Sequence, residues 1–211
     1  MNKIFFLPGE KQTFVTTVCF LYQPKQRTMN KRDQILDKWR RYEEQVDDFL
    51  VFLEQFSDED LNSVPANGGW SALQALHHLM VIEDLGLKYT QKKLQHEPNP
   101  ENIGLSHRLR SAMLQIYLRL PFAFKAPPLV SGDALPERST LAETAVRWRQ
   151  IRSAWRHFLE QLPEELLGKA VFKHPRAGRM GWLDLIAFYM THFERHSKQA
   201  LRAANQSQNP T

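Results

Sequence analysis

Apolar residues recur at helical spacing along most of this chain, with charged residues filling the positions between them. One such stretch runs from about Lys31 to Phe56, and a second begins at Ser71 and continues to about Gln95, ahead of a Pro-x-Pro sequence. A further helix is predicted from about Glu101 to Leu120. The spacing therefore predicts long amphipathic helices and no strand of more than about four residues.

The second half of the chain continues the pattern after a long interruption. Residues 121–138 contain four prolines and one glycine, and an irregular segment of this length is often functional, so we expect it to cover a site. The next helix opens at Thr140 and is ended by Pro163. A turn and the turn-rich residues 171–181 then lead to a last helix, from Trp182 to about Ala204.

Two helix starts carry a specific local signal. Ser71-x-x-Gln74 and Thr140-x-x-Glu143 are capping boxes, in which the hydroxyl accepts a free amide hydrogen and the third residue reaches back. Of the five predicted helices, four long ones joined by longish connections predict an all-α four-helix bundle. We expect the bundle domain over residues 29–205, with a polar tail at 206–211. A long loop is expected before the later core helices.

Residues 1–28 differ from the rest and are treated as a leader. Their two apolar patches are too short for a transmembrane helix, and a polar break interrupts them, which is unlike a signal peptide. Met29 is an alternative translation start, so Met1 and Met29 are both candidates for the first residue. Cys19 is the one cysteine, so an internal disulfide is impossible and a reducing, cytoplasmic location is expected.

The positive charge is concentrated in the leader. The net charge is +5, and residues 1–28 hold four basic residues against one acidic, a net of +3, so the remainder carries +2. No run of five or six like charges and no nucleic-acid-binding spacing is present. We therefore expect neither nucleic acid nor a membrane as a partner.

The histidines supply the candidate chemistry. His192 and His196 are four residues apart on the last helix, so both lie on one face and can reach one metal ion. Phe193 stands where an HExxH metalloprotease has its glutamate, which excludes that class. A third ligand can come from His77 or His78 on the second helix, and helical projection mildly prefers His77.

Two motifs resemble those of the DinB-like (damage-inducible) superfamily. The first is Gly-Trp-Ser-x-x-Gln-x-x-x-His-Leu over residues 69–79, and the second is His-x-x-x-His-x-x-Gln over residues 192–199. The turn-rich sequence from Lys173 to Met180 is similar to the segment before the last helix in one branch. The resemblance covers about residues 31–204.

The resemblance implies a four-helix bundle with a histidine triad around a divalent ion, zinc or nickel. It assigns His78, rather than His77, as the third ligand beside His192 and His196. Members of the family often form homodimers, and some are transferases or isomerases that use a low-molecular-weight thiol: bacillithiol, mycothiol or glutathione. The acidic residue common in relatives at the position of Gln74 is absent.

The functional hypothesis is a metal-dependent thiol transferase or isomerase acting on a small molecule. The alternatives are a non-catalytic, stress-related metal-binding module and a metal-assisted hydrolase. The hydrolase lacks a general base, because Glu194 points away from the histidine pair. Gln199 is a candidate hydrogen-bond partner of a ligand. Trp70 is expected to be a core anchor rather than a substrate platform, and Arg195 a solvated or interhelical ion-pairing residue.

Overall fold

The computed structural model of the chain describes residues 29–66, 68–97, 99–120, 130 and 135–208, so the leader and most of residues 121–134 lie outside the described part. The fold is mostly helical, as predicted. In chain order, the elements are α1 (Lys31–Leu53), α2 (Asp58–Asn62), α3 (Ala72–His96), α4 (Leu105–Arg119), α5 (Leu141–Glu160), a 3₁₀ turn (Glu164–Leu166), β1 (Phe172–His174), β2 (Gly178–Met180) and α6 (Trp182–Gln208).

Ser71 and Thr140 cap the two helices that the sequence predicted, and the Ser71–Gln74 pair forms the full capping box. In the Thr140–Glu143 pair the carboxylate of Glu143 accepts from the Thr140 hydroxyl instead of completing the box. Ser71 is the N-cap of α3: its hydroxyl accepts from the amide of Gln74, whose side chain accepts from the amide of Ser71. Thr140 is the N-cap of α5 and accepts from the amide of Glu143. These bonds satisfy amides that no helical carbonyl can reach, so both helices begin at a defined residue.

Several predicted boundaries need correction. Helix α1 ends at Leu53, three residues before the expected end, and the expected connection holds the short helix α2. Ser57 caps α2 in a capping box with Asp60, the same signal used elsewhere in the chain. Helix α4 begins at Leu105, four residues later than predicted, and α6 continues to Gln208, four residues beyond Ala204.

The turn-rich residues before α6 form a small antiparallel hairpin. Strands β1 and β2 pair Phe172 with Met180 and His174 with Gly178. Each strand has three residues, too few for alternation to be read from the sequence. Gly178 has a φ of +72°, a left-handed conformation that glycine adopts without steric cost.

Four long helices form the bundle. Helices α1 and α3 each pack against both α5 and α6, which places α1 and α3 at opposite corners. Helix α4 lies outside this square, against α6 and β2. The core is rich in aromatic residues, and its largest fully buried side chains include the tryptophans Trp39, Trp148, Trp155 and Trp182. Trp148 and Trp155 are core residues, as predicted.

Polar groups also enter the bundle interior. Arg152 of α5 is buried and donates to the carbonyl of Glu43 (2.9 Å) and to the carboxylate of Asp47 (2.9 Å), both on α1. Glu83 of α3 is buried among aromatic residues. In the described part of the chain, every helix is too short or too polar to cross a lipid bilayer.

Candidate metal centre

Three histidines from two helices meet in the interior of the bundle. His78 comes from α3, and His192 and His196 come from adjacent turns of α6. Their candidate ligand atoms all lie within 4.8 Å of one another. The Nε2 atoms of His78 and His192 are 3.3 Å apart. The structure thus brings together the three histidines that the resemblance indicated.

His77, the residue that projection preferred, faces a different helix. Its Nε2 lies 2.9 Å from the Ser139 hydroxyl and 3.2 Å from the Thr144 hydroxyl of α5. Helix α3 contacts both α5 and α6, so adjacent residues on it point into different interfaces. His77 is therefore a hydrogen-bonded core histidine, and His78 is the one that joins the cluster.

In two of the three imidazoles, those of His78 and His196, the Nδ1 atom has a hydrogen-bond acceptor outside the cluster. His78 Nδ1 donates to the carbonyl of Val130 at 2.7 Å. His196 Nδ1 lies 2.9 Å from the side-chain oxygen of Gln199, which accepts its hydrogen. These bonds place the hydrogen on Nδ1 and leave Nε2 with a free electron pair toward the cluster.

Burial keeps the three rings neutral. Desolvation, together with its two neighbouring imidazoles, holds the pKa of His192 well below its usual range. Burial and His78 lower the pKa of His196 to about 3. Burial lowers the pKa of His78, and its hydrogen bond to Val130 partly opposes that shift. Neutral imidazole is the form that binds metals.

Aromatic rings form the walls of the cluster. The ring of Phe188 stacks on His192, with centroids 5.3 Å apart and planes at 14°. Trp70 stacks on His196, with centroids 5.8 Å apart, and approaches His78 at 4.7 Å. Trp70 is half-buried, so it serves both as the packing anchor expected at the entry to α3 and as a wall of this site.

The geometry of the donors suits a small divalent ion. Two nitrogens that each lie about 2.0–2.1 Å from a tetrahedral ion are separated by about 3.3 Å, and the His78–His192 pair has a 3.3 Å separation. The donor set is nitrogen alone, which zinc, nickel and other transition ions accept. Three protein ligands leave coordination positions open for a further group.

Other charged residues near the histidine pair face outward or toward α4. Glu194 is exposed and pairs with Lys198 at 3.0 Å and Arg119 at 3.7 Å, so it does not reach the triad. Of the two alternatives for Arg195, the structure shows the interhelical one, and its contacts include hydrogen bonds to the backbone carbonyls of Leu118 and Leu120. These contacts fix α6 against α4.

Sequence reasoning missed two contributors to the site. Val130 acts through its backbone carbonyl, and no side-chain pattern specifies that role, although the expectation that residues 121–138 cover a site includes this residue. The other described residues of that segment, 135–138, form no hydrogen bond with the triad, and Arg138 instead donates to the carboxylate of Glu59. Phe188 lies four residues before His192 and on the same face of α6, a spacing that was visible but typical of an ordinary core position.

Comparison with known proteins gives one family match. A family model described as the DinB superfamily matches residues 41–200, more than half of the chain and a range that includes all three histidines. Neither the curated proteins nor the solved structures gave a significant match.

Proposed function

The chain belongs to the DinB superfamily, and from that premise we propose that His78, His192 and His196 bind one divalent metal ion that activates a small thiol for transfer. Zinc and nickel are the favoured ions. The observation that carries the proposal is the convergence of three buried, neutral imidazoles whose candidate ligand atoms lie within 4.8 Å of one another.

The residues of the chain have distinct tasks in this proposal. The three Nε2 atoms supply the ligands, and Val130 and Gln199 hold two of the rings in the tautomer that presents Nε2. Trp70 and Phe188 keep water away from the rings they stack on. A bound ion would lower the pKa of a thiol or water in an open position, and so supply a nucleophile near neutral pH.

Thiol transfer is favoured over hydrolysis by the residues around the triad. Hydrolysis commonly uses a carboxylate as general base, and within the described residues the cluster contains histidines alone. Glu194, the nearest acidic residue in sequence, is engaged on the surface. A thiol bound to the ion would have a lowered pKa and release its proton to solvent near neutral pH, so its activation does not depend on a carboxylate. The substrate class is therefore a low-molecular-weight thiol together with a small electrophile.

A non-catalytic metal-binding module is the second candidate. The observation that favours it is burial: His78, His192 and His196 are all less than one-tenth exposed. A site this enclosed restricts the size of any group that reaches an open coordination position. Catalytic turnover with a thiol separates the two candidates, because a storage or structural site binds the ion but catalyses no reaction.

The first experiment compares the metal content of two neighbouring variants. His78→Ala removes a proposed ligand, and His77→Ala is the matched control because it removes an adjacent buried histidine outside the cluster. We expect about one zinc or nickel per chain in the wild type and in His77→Ala, and a loss of at least tenfold in His78→Ala. Equal metal content in the two variants, or none in the wild type after reconstitution, contradicts the metal site.

The second experiment tests the chemistry. Metal-loaded protein is incubated with bacillithiol, mycothiol or glutathione and a chlorobimane probe, and the fluorescent conjugate is measured. Conjugation with one thiol, absent in His78→Ala, supports thiol transfer. A full metal content with no conjugation above the buffer rate for any of the three thiols contradicts it and leaves the metal-binding module.

A further inference from the structure

The outer face of α4 carries a line of exposed apolar side chains. Five large residues along the helix and its C-terminal end are between 38 % and 83 % exposed: Leu105, Leu109, Met113, Ile116 and Leu120. The opposite face, with Ser111, Leu114 and Leu118, is buried against the bundle. Helix α4 is therefore apolar on both sides, and one side has no cover among the described residues.

The spacing of the exposed residues defines a narrow seam. Successive members are four, four, three and four positions apart, so at about 100° per residue they fall within a stripe of about 80°. A stripe of this width is typical of a coiled-coil contact, whereas a helix that lies in a membrane surface has a broader apolar face. The seam from Leu109 to Leu120 follows the alternating three- and four-residue steps of a heptad repeat.

Positive charge borders the seam on both sides. Arg108 and Arg119 project along one edge and Arg110 along the other, and all three are exposed. The sequence of α4 contains no aspartate or glutamate. Glu194 of α6 lies 3.7 Å from Arg119, while Arg108 and Arg110 form no ion pair with a described residue. The edges thus favour a negatively charged occupant.

We propose that the α4 seam is a docking site for an acidic amphipathic helix of a partner protein. The apolar side chains of that helix would pack along Leu109, Met113, Ile116 and Leu120. Its glutamates or aspartates would flank the contact and face Arg110 on one edge and Arg108 and Arg119 on the other. This is the pairing that heptads with apolar a and d positions and charged e and g positions use.

Charge argues against two other occupants. A second copy of α4, paired antiparallel through the same seam, would set the edge with Arg108 and Arg119 against the same edge of its mate, and like charges oppose that contact. The leader, with four basic residues and one acidic, has the same sign as the seam edges. A separate, acidic partner meets neither objection.

The inner side of α4 connects the seam to the helix that carries two of the histidines. Gln115 hydrogen-bonds the hydroxyl of Thr191, the residue before His192. Arg195 donates to the carbonyls at the end of α4. Docking on the outer face would therefore occur one helix away from the histidine cluster, at a surface separate from it.

The test uses the full chain and a synthetic probe peptide. The probe is a three-heptad helix with leucine at a and d and glutamate at e and g, and the control peptide has lysine at e and g. Binding is measured by fluorescence anisotropy at low and high salt. We expect the glutamate peptide to bind at least tenfold more tightly than the lysine peptide, and the difference to shrink with added salt.

Variants locate the contact. Met113→Ser with Ile116→Ser should weaken binding of the glutamate peptide at least tenfold, because it removes two seam side chains that are more than 60 % exposed. The matched control, Val51→Ser with Phe52→Ser, removes two exposed apolar residues of α1 and should leave binding unchanged. Arg110→Glu with Arg119→Glu should reverse the preference toward the lysine peptide.

Several outcomes overturn the proposal. Equal binding of the two peptides, or binding that the seam variant does not change, removes the charge-directed contact. Adsorption to phosphatidylserine vesicles that requires Met113 and Ile116, without peptide binding, identifies a lipid surface instead. A dimer in sedimentation equilibrium that dissociates in the seam variant identifies a second copy of this chain.

Discussion

Glu83 shows how one buried carboxyl group is held in the core. Its Oε1 accepts from the Tyr42 hydroxyl and from Trp148 Nε1, while its Oε2 is buried without a partner among the described residues. Burial raises the pKa of Glu83 to about 7, although Tyr42 and Arg152 oppose that shift. A proton on the unpaired oxygen removes the charge at the point where nothing stabilises it.

This pKa predicts a pH-dependent stability. Between the ordinary value of 4.5 and about 7, native Glu83 holds a proton that the unfolded chain has lost. The contribution of Glu83 to stability is thus fully present below about pH 4.5 and is lost as the pH rises through 7. Relative to Glu83→Gln, the wild-type free energy of unfolding should fall between pH 4 and 8 by up to about 3 kcal/mol.

Urea unfolding of both proteins across that pH range measures the difference. Glu165→Gln is the control, because it removes the same kind of group from an exposed position. A pH trend in the unfolding free energy that Glu83→Gln and Glu165→Gln share does not come from the burial of Glu83. A wild-type minus Glu83→Gln difference that stays constant from pH 4 to 8 contradicts a raised pKa at Glu83.

At the scale of elements, the crossing of α3 and α6 depends on a glycine, whose lack of a side chain allows close contact. Tyr189 of α6 places its hydroxyl against Gly86 of α3, where a Cβ atom would overlap it. That hydroxyl is buried and has no hydrogen-bond partner among the described residues. The close approach of these helices is what lets residues from both contribute to one histidine cluster.

A double-mutant cycle tests this contact. Gly86→Ala alone should destabilise the protein by about 1–3 kcal/mol through overpacking. In the Tyr189→Phe background the overlapping oxygen is gone, so Gly86→Ala should be near neutral or stabilising by up to about 1 kcal/mol from helix propensity. Tyr189→Phe alone should cost little, since its hydroxyl makes no bond that would be lost.

The four proteins are compared by denaturant unfolding. The expected result is a coupling energy well outside the few tenths of a kcal/mol found for independent sites. Additive effects of Gly86→Ala and Tyr189→Phe would show that the two residues do not constrain each other. They would also place the tight point of the α3–α6 crossing elsewhere.

Element starts were predictable where a side chain marks them, and less so elsewhere. Ser71 and Thr140 fixed the starts of α3 and α5 because a capping hydroxyl acts locally. Ser57 and Asp60 mark the start of α2 in the same way, so that local signal was present but was not used. The end of α1 at Leu53 and the short length of α2 depend on tertiary packing, and Leu61 of α2 is fully buried. The hairpin was missed because its strands are too short to show a period.

The choice between His77 and His78 shows a limit of periodicity. Both residues are buried, since α3 packs against α5 on one side and α6 on the other. Helical periodicity gives one average direction for the apolar face of a helix, so it cannot decide between two buried residues that face different neighbouring helices. The family resemblance assigned His78 from its place in the motif, and the structure places that residue in the cluster.

At the scale of the whole molecule, the proposed ion would join two helices that are distant in sequence. Ligands bound in the native state alone stabilise it by mass action, by about 2.7 kcal/mol at a free concentration of 100 times Kd. For a chain of this size that corresponds to a rise in Tm of about 5–10 °C. The effect rests on the proposed metal site.

Thermal unfolding with and without zinc or nickel measures this rise. His77→Ala should show the same increase as the wild type, and His78→Ala should show none. An equal increase in both variants would mean that the ion binds elsewhere on the chain. No increase in the wild type would mean that the triad does not bind the ion in the native state.

The distance between His78 and His192 along the chain also sets an order of events during synthesis. They are 114 residues apart, and at about 5–20 residues per second a ribosome needs about 6 to 23 s to pass from one to the other. His196 follows later still. For that interval α3 exists without the helix that covers its histidine. An ion that needs all three imidazoles could therefore bind only after α6 has been synthesised, so the proposed metal site would be completed late and could not guide the folding of the earlier helices.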